Sequence, residues 1–480
     1  MVSVDRFETR VALLEDARVV EIHIERRGRR SVVGHVWKGR VESVLPGMEA
    51  AFVQLGIEKS GFLHVDEVYA PGTSRSRRQI GDLLKKGSEV LVQAVKDPMG
   101  TKGARLTMQL SLAGRYLVYV PYGEGLGVSK RIDDSERKRL KVICGAFEMD
   151  EGGIIVRTAA AGAAAGELAR DLASLRRLWA ALKSRSAESP VPSLLYSEAD
   201  ASLRVIRDLL GAHVDEVLVD DDAQYERLVA FLRRTSPELA ERVARYEGES
   251  PMMEHYGVES AVKTTLDRRV PLSSGGYLII DDTEAMTVID VNTGRNVGRG
   301  NTQLESTITR TNHEAAEEVV RQLRLRDIGG IVIIDFIDMS DRKNRKAVTE
   351  RLTDALSRDR SRTYVVEISE LGLVQMTRQN ISEGPREVMT TMCPTCQGHG
   401  FVLTDESLAI QVNATIARQA SRLGGPVRAR VNPRIAPLLV DPAVEGEEAG
   451  SDNGILIEAD PRVPADAAIV ALRDEAGVAI

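Results

Sequence analysis

The sequence predicts a multidomain α/β protein, and three observations carry that prediction. A chain of 480 residues is too long for one ordinary hydrophobic core, so several domains are expected. Residues 269–379 read as strand, helix, Gly329-Gly330, strand, the pattern of a βαβ unit. Residues 31–112 instead give five short β-rich runs broken by glycine, "SVVGHVWKGRVESVL", "AAFVQLG", "SGFLHV", "EVLVQAV" and "ARLTMQL", which suggest a small barrel of the OB type.

The elements follow in order. "RVALLEDARVVEIHIERR" at residues 10–27 reads as a hairpin with no closed core of its own, so it is expected to pair with a later segment, which makes the barrel an insertion. Residues 116–197 begin with strands and pass through "GGIIVRTAAAGAAAGELARDLASLRRLWAALKSR", a strand, a short Ala/Gly stretch and a long amphipathic helix. Residues 201–247 set helical patterns around the strand-like "DEVLVD". In the βαβ region, "GGYLIIDDTEAMTVIDVNTG" and "GGIVIIDFIDM" flank a helix expected over residues 304–326. Its signals are the capping-box pattern Thr302-x-x-Glu305 and the apolar or small stripe Leu304, Ile308, Ala315, Val319 and Leu323. After Cys396, "SLAIQVNATIARQASRL" reads as a helix and "GILIEA" as a strand of a small tail domain.

Composition bounds the function classes. Apolar residues at 43% and charged residues at 28% describe a soluble globular chain. The net charge of -7, from 64 Lys+Arg against 71 Asp+Glu, does not advertise a nucleic-acid partner. Basic clusters at residues 25–30, 74–79 and 136–141 each read, taken alone, as solvated faces. An acidic start, "MVSVDRFETRVALLED", and the lack of any apolar run near the roughly 20 residues that span a bilayer argue against a signal peptide and a membrane anchor. Three cysteines are too few for a disulfide framework and fit a reducing compartment, so a cytoplasmic protein is expected.

Two carboxylates stand out. Asp290 closes "MTVID" and Asp335 closes "IVIID", at the strand ends where open α/β sheets bind ligands. If the two strands are neighbours, about 4.8 Å apart, the carboxylates converge on one cation. Few oxygen ligands in a partly open site suit Mg2+, and Asn292 falls on the same face as Asp290, where it can orient that carboxylate. The following loop places Arg295 and Arg299 among glycines, a cradle for a negatively charged backbone. Asp338 competes as a ligand, and strand-end aspartates also serve simply to cap loops or helices.

Phe52 and Phe62 lie on successive barrel strands around "GIEKSG", so a hairpin sets them opposite each other. Two readings stay open: an aromatic platform that stacks bases, with Lys102 meeting phosphates, or two rings filling the barrel core. Cys393 and Cys396 in "TTMCPTCQGHGFV" form half of a zinc site, with His399 a possible third ligand and Cys144, in the apolar-flanked "VICGAF", better read as a buried thiol. The missing half is most simply the same turn of a second chain, giving a shared four-cysteine site in a homodimer. A redox dithiol is the competing reading, but it lacks the strand-to-helix context.

"RVALLEDARVVEIHIERR", "KGRVESVLPGMEAAFVQLG", "VKDPMGTKGARLT", "IIVRTA", "GGYLIIDDTEAMTVIDVNTG", "EAAEEVVRQLRLRDIGGIVIIDFIDM", "LGLVQMTR" and "CPTCQGHG" together resemble the ribonuclease E/G family, and within it the ribonuclease G branch, over residues 10–400. The resemblance implies an RNase H-like subdomain split between residues 1–30 and 201–266, with an S1-type OB-fold barrel (31–112) and a 5′-monophosphate sensor (113–200) inserted. A DNase I-like catalytic domain (267–388), a zinc link (389–402) and a small C-terminal domain (403–480) follow. It implies a Mg2+-dependent endoribonuclease of single-stranded AU-rich RNA that leaves 5′-phosphate and 3′-hydroxyl ends. Asp290 and Asp335 would be its magnesium ligands, supported by Asn292, with Phe52, Phe62 and Lys102 contacting RNA. Arg157 and Thr158, with Gly114 and Val118 lining the pocket, would hold the 5′-monophosphate, and Cys393 and Cys396 the structural zinc shared by two chains, with a tetramer as a further step. Ribosomal RNA precursors and messages are the expected substrates. The sequence ends at Ile480 without the long disordered tail that ribonuclease E members often carry, which favours the ribonuclease G type; a short ribonuclease E-like enzyme and a noncatalytic S1-type RNA-binding protein are the alternatives.

Overall fold

Alternating apolar residues turn the start of the chain into β1 (Val2–Val4), β2 (Glu8–Glu15) and β3 (Arg18–Arg26). The two-residue turn between β2 and β3 is left-handed at both Asp16 (φ 48°) and Ala17 (φ 61°), matching the twist of the strands it joins. The computed structural model describes the whole chain except residues 29–30, 73–77, 99–101, 150, 212, 295–300, 367, 370–371, 380–382, 440–449, 452–454 and 473–480, and the side chains of 301–303 and 450–451. It divides into two compact units, Met1–Met389 and Thr390–Ile480.

The next strands, β4 (Val36–Leu45), β5 (Ala50–Gln54), β6 (Gly61–His64), β7 (Glu89–Lys96) and β8 (Arg105–Thr107), hydrogen-bond in the ring β4-β5-β6-β8-β7-β4 and so close the expected five-stranded, OB-like barrel. Trp37, Val41, Val53, Leu63, Val92 and Leu106 fill it. A small sheet follows, β9 (Leu112–Ala113), β10 (Leu117–Val120), β11 (Leu126–Val128) and β12 (Gly153–Val156), in the order β11-β12-β10-β9. One of its faces packs on the helix Ala165–Glu188, whose buried stripe is Leu168, Leu172, Leu175, Trp179 and Leu182. The chain then adds β13 (Ser193–Tyr196) to the edge of barrel strand β4. β14 (Val217–Val219) and β15 (Val243–Arg245) return to the first sheet, giving β15-β14-β1-β2-β3. The opening hairpin is thus completed by a distant segment.

The last sheet of this unit has the order β16-β17-β18-β19-β21-β20: β16 (Arg269–Pro271), β17 (Tyr277–Asp282), β18 (Met286–Asn292), β19 (Gly330–Asp335), β20 (Thr363–Val365) and β21 (Leu373–Arg378). β18 and β19 are parallel, joined by the helix Asn301–Leu325, and the other pairs are antiparallel. Leu278, Ile289, Val291, Val332, Ile334 and Val374 bury one face against Ala315, Val319 and Leu323 of that helix and Val348 and Leu352 of the helix Arg342–Ser357. Each fully buried Val or Leu contributes about 1.5–3 kcal/mol. Alternation therefore sends the intervening residues of the same strands to the opposite face, where among the described residues no helix joins this core. Thr302, the expected N-cap, stands inside the helix Asn301–Leu325 rather than before it, and Glu305 binds a different segment of the chain. Its carboxylate accepts from the Ser340 and Asp341 N–H groups and from Asn344 Nδ2 (3.3, 3.2 and 2.9 Å), so it caps the neighbouring Arg342 helix; the Thr302 side chain lies outside the described residues.

The second unit packs the helix Asp405–Leu423, opened by a Thr404 side-chain cap and ended by left-handed Gly424 (φ 69°), on a four-stranded sheet. The strands β22 (Val427–Val431), β23 (Gly450–Ser451), β24 (Ile455–Ala459) and β25 (Ala468–Leu472) run in the order β23-β24-β22-β25. Among the described residues no helix is long and apolar enough to cross a membrane.

Candidate active site

Ile289, Val291 and Ile334 point into the core, so Asp290 and Asp335 project from the open face of the six-stranded sheet. They stand in direct register across the parallel pair β18 and β19. Asn292, two residues on, donates from Nδ2 to Asp290 Oδ2 at 2.8 Å. Burial first, then the negative charges of Asp290 and Asp338, push the Asp335 carboxyl above its ordinary range. Two carboxylates in direct register, one of them held above its ordinary range, meet the electrostatic condition that a divalent cation relieves, so the donor set fits a hard, oxygen-preferring ion. Among the described residues no three His, Cys, Asp or Glu side chains gather as a ready-made metal cage. Arg295 and Arg299 lie outside the described residues.

The loop after β19 is tied down from behind. Asn312, fully buried in the helix Asn301–Leu325, donates to the Ile337 carbonyl at 2.8 Å and accepts the Ile337 N–H at 3.1 Å. Ile337 sits between Asp335 and Asp338. Glu305, on the same helix, fixes the loop again at Ser340 and Asp341. Left-handed Gly372 (φ 82°) faces Asp338, and a Cβ there would lie 3.1 Å from Asp338 Oδ1.

On the barrel, Phe52 and Phe62 are direct partners across β5 and β6, edge to face with centroids 5.9 Å apart, and both are half-buried. Lys102 is exposed next to Gly103, whose backbone approaches the same hairpin so closely that a Cβ would sit 1.9 Å from the Ser60 carbonyl oxygen. In the small sheet, Val118 pairs with Ile155, on the face away from the helix, and Arg157 follows β12 with the same alternation. The Arg157 guanidinium donates to the Gly114 carbonyl (2.6 Å) and pairs with Asp208 (2.7 Å), while the Thr158 hydroxyl lies 3.1 Å from that of Ser129. Gly114 is glycine because the Asp171 carboxylate, which accepts the Tyr116 and Leu117 N–H groups, occupies the place of a Cβ.

In the second unit Cys393 is exposed and Cys396 half-buried. The Gln397 N–H donates to the Cys393 carbonyl and the His399 N–H to that of Cys396, both at 2.8 Å, with Gln397, Gly398 and Gly400 left-handed. Hydrogen bonds from the Cys396 and Thr395 backbone lower the Cys393 thiol pKa, which favours the metal-binding thiolate. Cys144 is buried in the core beneath the small sheet, where burial pushes its thiol pKa up.

A family model for the ribonuclease E/G family matches residues 111–381. Ribonuclease G of Escherichia coli (strain K12) is 44% identical over 427 residues, 87% of this chain and 87% of that protein. The chain belongs to the ribonuclease E/G family. Ribonuclease G of Haemophilus influenzae is 43% identical over 420 residues, 86% of this chain and 85% of that protein. Ribonuclease E of E. coli is 39% identical over 423 residues, 86% of this chain but 40% of that longer protein. Within this ribonuclease E/G chain, sequence reasoning missed Asn312 and Asp208 and gave Glu305 a cap on its own helix instead of the loop it holds. An asparagine inside a helix and an aspartate beside Arg207 carry no local mark of their distant partners. The one signal that could have found Asn312 is the mild misfit of a small polar residue within an apolar stripe.

Proposed function

We propose that this ribonuclease E/G chain is an endoribonuclease of the ribonuclease G type, cutting single-stranded AU-rich RNA to 5′-phosphate and 3′-hydroxyl ends in ribosomal RNA processing and message decay. The observation that carries the reading is the direct register of Asp290 and Asp335, with Asn292 tied to Asp290, on the open face of the six-stranded sheet. In this reading the sheet belongs to a DNase I-like catalytic domain, the first sheet to an RNase H-like subdomain, and the barrel is of the S1 type. Asp290 and Asp335 hold Mg2+, and Asn292 keeps Asp290 turned toward it. When bound there, the ion supplies an acidified water and neutralises charge developing on the phosphate. Phe52 and Phe62 stack bases while Lys102 meets the backbone. Arg157 and Thr158, beside Gly114 and Val118, take a 5′-monophosphate, for which a guanidinium fork and a hydroxyl are suited donors. Cys393 and Cys396 contribute half of a zinc site completed by a second chain.

Identity favours the ribonuclease G type over a short ribonuclease E-like enzyme: 44% to ribonuclease G of E. coli against 39% to ribonuclease E of the same organism. The test is cleavage of a 5′-monophosphorylated, AU-rich single strand in Mg2+, stopped by EDTA and abolished by Asp290→Asn and by Asp335→Asn. Full cleavage by either variant refutes the catalytic assignment. Tight RNA binding without any cleavage by the unaltered chain would leave the noncatalytic S1-type reading.

A further inference from the structure

The two aspartates belong to a longer row. Arg269 on β16 opposes Ile279 on β17, Ile279 opposes Asp290, Asp290 opposes Asp335, and Asp335 opposes Leu373. Directly opposed residues share a face, so Arg269 stands on the open face two strands from Asp290, about 10 Å away at the usual strand spacing. In the adjacent row Tyr277 opposes Asn292. The exposed Arg269 guanidinium lies over the Tyr277 ring, 3.9 Å from its centroid. Among the described residues it has no hydrogen-bond or ion-pair partner. The other carboxylate on this stretch of the face, Asp281, is already taken by both arms of Arg268. An aromatic ring that fixes the plane of an unpaired guanidinium leaves its N–H fork organised for an anion and lowers the entropy lost on binding one.

We propose that Arg269, resting on Tyr277, binds a backbone phosphate flanking the scissile one, so that RNA runs across the open sheet face from β16 toward β19. The proposal rests on the nuclease reading above and adds a substrate-positioning subsite to it. The chemistry is complementary to that of the aspartate pair. Asp290 and Asp335 repel RNA wherever a cation does not screen them, and a cation on the same row offsets that repulsion next to the reacting phosphate.

The test is binding of fluorescent single-stranded RNA with magnesium omitted, followed by anisotropy across a salt series, together with a scan in which single neutral methylphosphonates replace the phosphates. Arg269→Ala is expected to weaken binding roughly tenfold and to make the log–log salt slope shallower by about 0.7, one contact's worth for a single strand. Arg269→Lys, which keeps the charge, should restore the slope. One methylphosphonate near the cleavage site should erase the difference between Arg269→Ala and the unaltered chain. An unchanged slope, or a loss equal at every methylphosphonate position, overturns the proposal. Cleavage by Asp290→Asn tests the underlying reading separately: if that variant still cuts while the Arg269 results hold, the RNA track stands and the catalytic assignment falls.

Discussion

Asn312 is one of two residues, with Glu305, through which the helix Asn301–Leu325 ties the aspartate loop, and Asn312→Ala isolates its share. The substitution removes two hydrogen bonds and leaves the Ile337 N–H and carbonyl without their partner. An unsatisfied buried group costs about 1–3 kcal/mol, and because Ile337 is half-buried the lower end applies to each, about 2 kcal/mol together. Amide-exchange protection of β19 should then fall roughly thirtyfold. The larger effect is expected at the chemistry, since a shift near 1 Å in a positioned group can cost about 100-fold in rate, and a displaced loop loosens the seat of the ion at Asp335. The assay is a Mg2+ titration of RNA cleavage beside Leu352→Ala, a substitution at a fully buried position of the same core. That control costs about 2–5 kcal/mol but leaves the loop tie intact, so its half-saturating Mg2+ should match that of the unaltered chain. If Asn312→Ala lowers protection yet needs no more Mg2+ than Leu352→Ala, Asn312 is structural only and the positioning argument fails.

Glu21→Gln is expected to destabilise the joint between the first sheet and the six-stranded one at neutral pH, toward the lower end of the range of about 3–5 kcal/mol that removing one partner of a buried pair costs, because Arg360 loses its carboxylate while Arg324 keeps Glu15. Burial alone would raise the Glu21 pKa, but His23, Arg360 and Arg324 outweigh it and hold the carboxyl well below the usual range. Its stabilisation is therefore complete above the unfolded carboxyl pKa of about 4.3 and fades as pH falls toward the folded value, so the stability gap in denaturant should narrow below about pH 5; a gap that widens in acid contradicts the sign. Cys393→Ser should yield zinc-free particles of half the mass by light scattering, and a variant that keeps both zinc and dimer rules out the shared site. Phe52→Ala and Phe62→Ala should each weaken single-stranded RNA binding by about 1–3 kcal/mol. Unchanged affinity with a less stable barrel would make the two rings core residues instead.

What could be read from the sequence was what repeats locally. Asp290 and Asp335 were visible because each ends an apolar strand with a charge, and the Phe52 and Phe62 pair was visible because a short hairpin fixes its own register. The two cases differ in how far the pattern reaches. The hairpin determines that the rings are opposed, whereas no pattern in β18 or β19 determines that two aspartates 45 positions apart lie in one row; that follows from the parallel crossover through the helix Asn301–Leu325. Glu305 shows local logic misleading. Its spacing from Thr302 is the signature of a cap on its own helix, but the same carboxylate serves another helix whose N-terminus arrives from 35 residues further on. Arg269 is the extreme case, an ordinary arginine beside Arg268. Its meaning comes only from a row assembled across four strand pairings and from Arg268 having already taken the nearby carboxylate. Side chains whose roles depend on their own strand or turn are legible in order along the chain. Those that act through register across several strands become legible only once the sheet is formed, and this site is built mostly of the second kind.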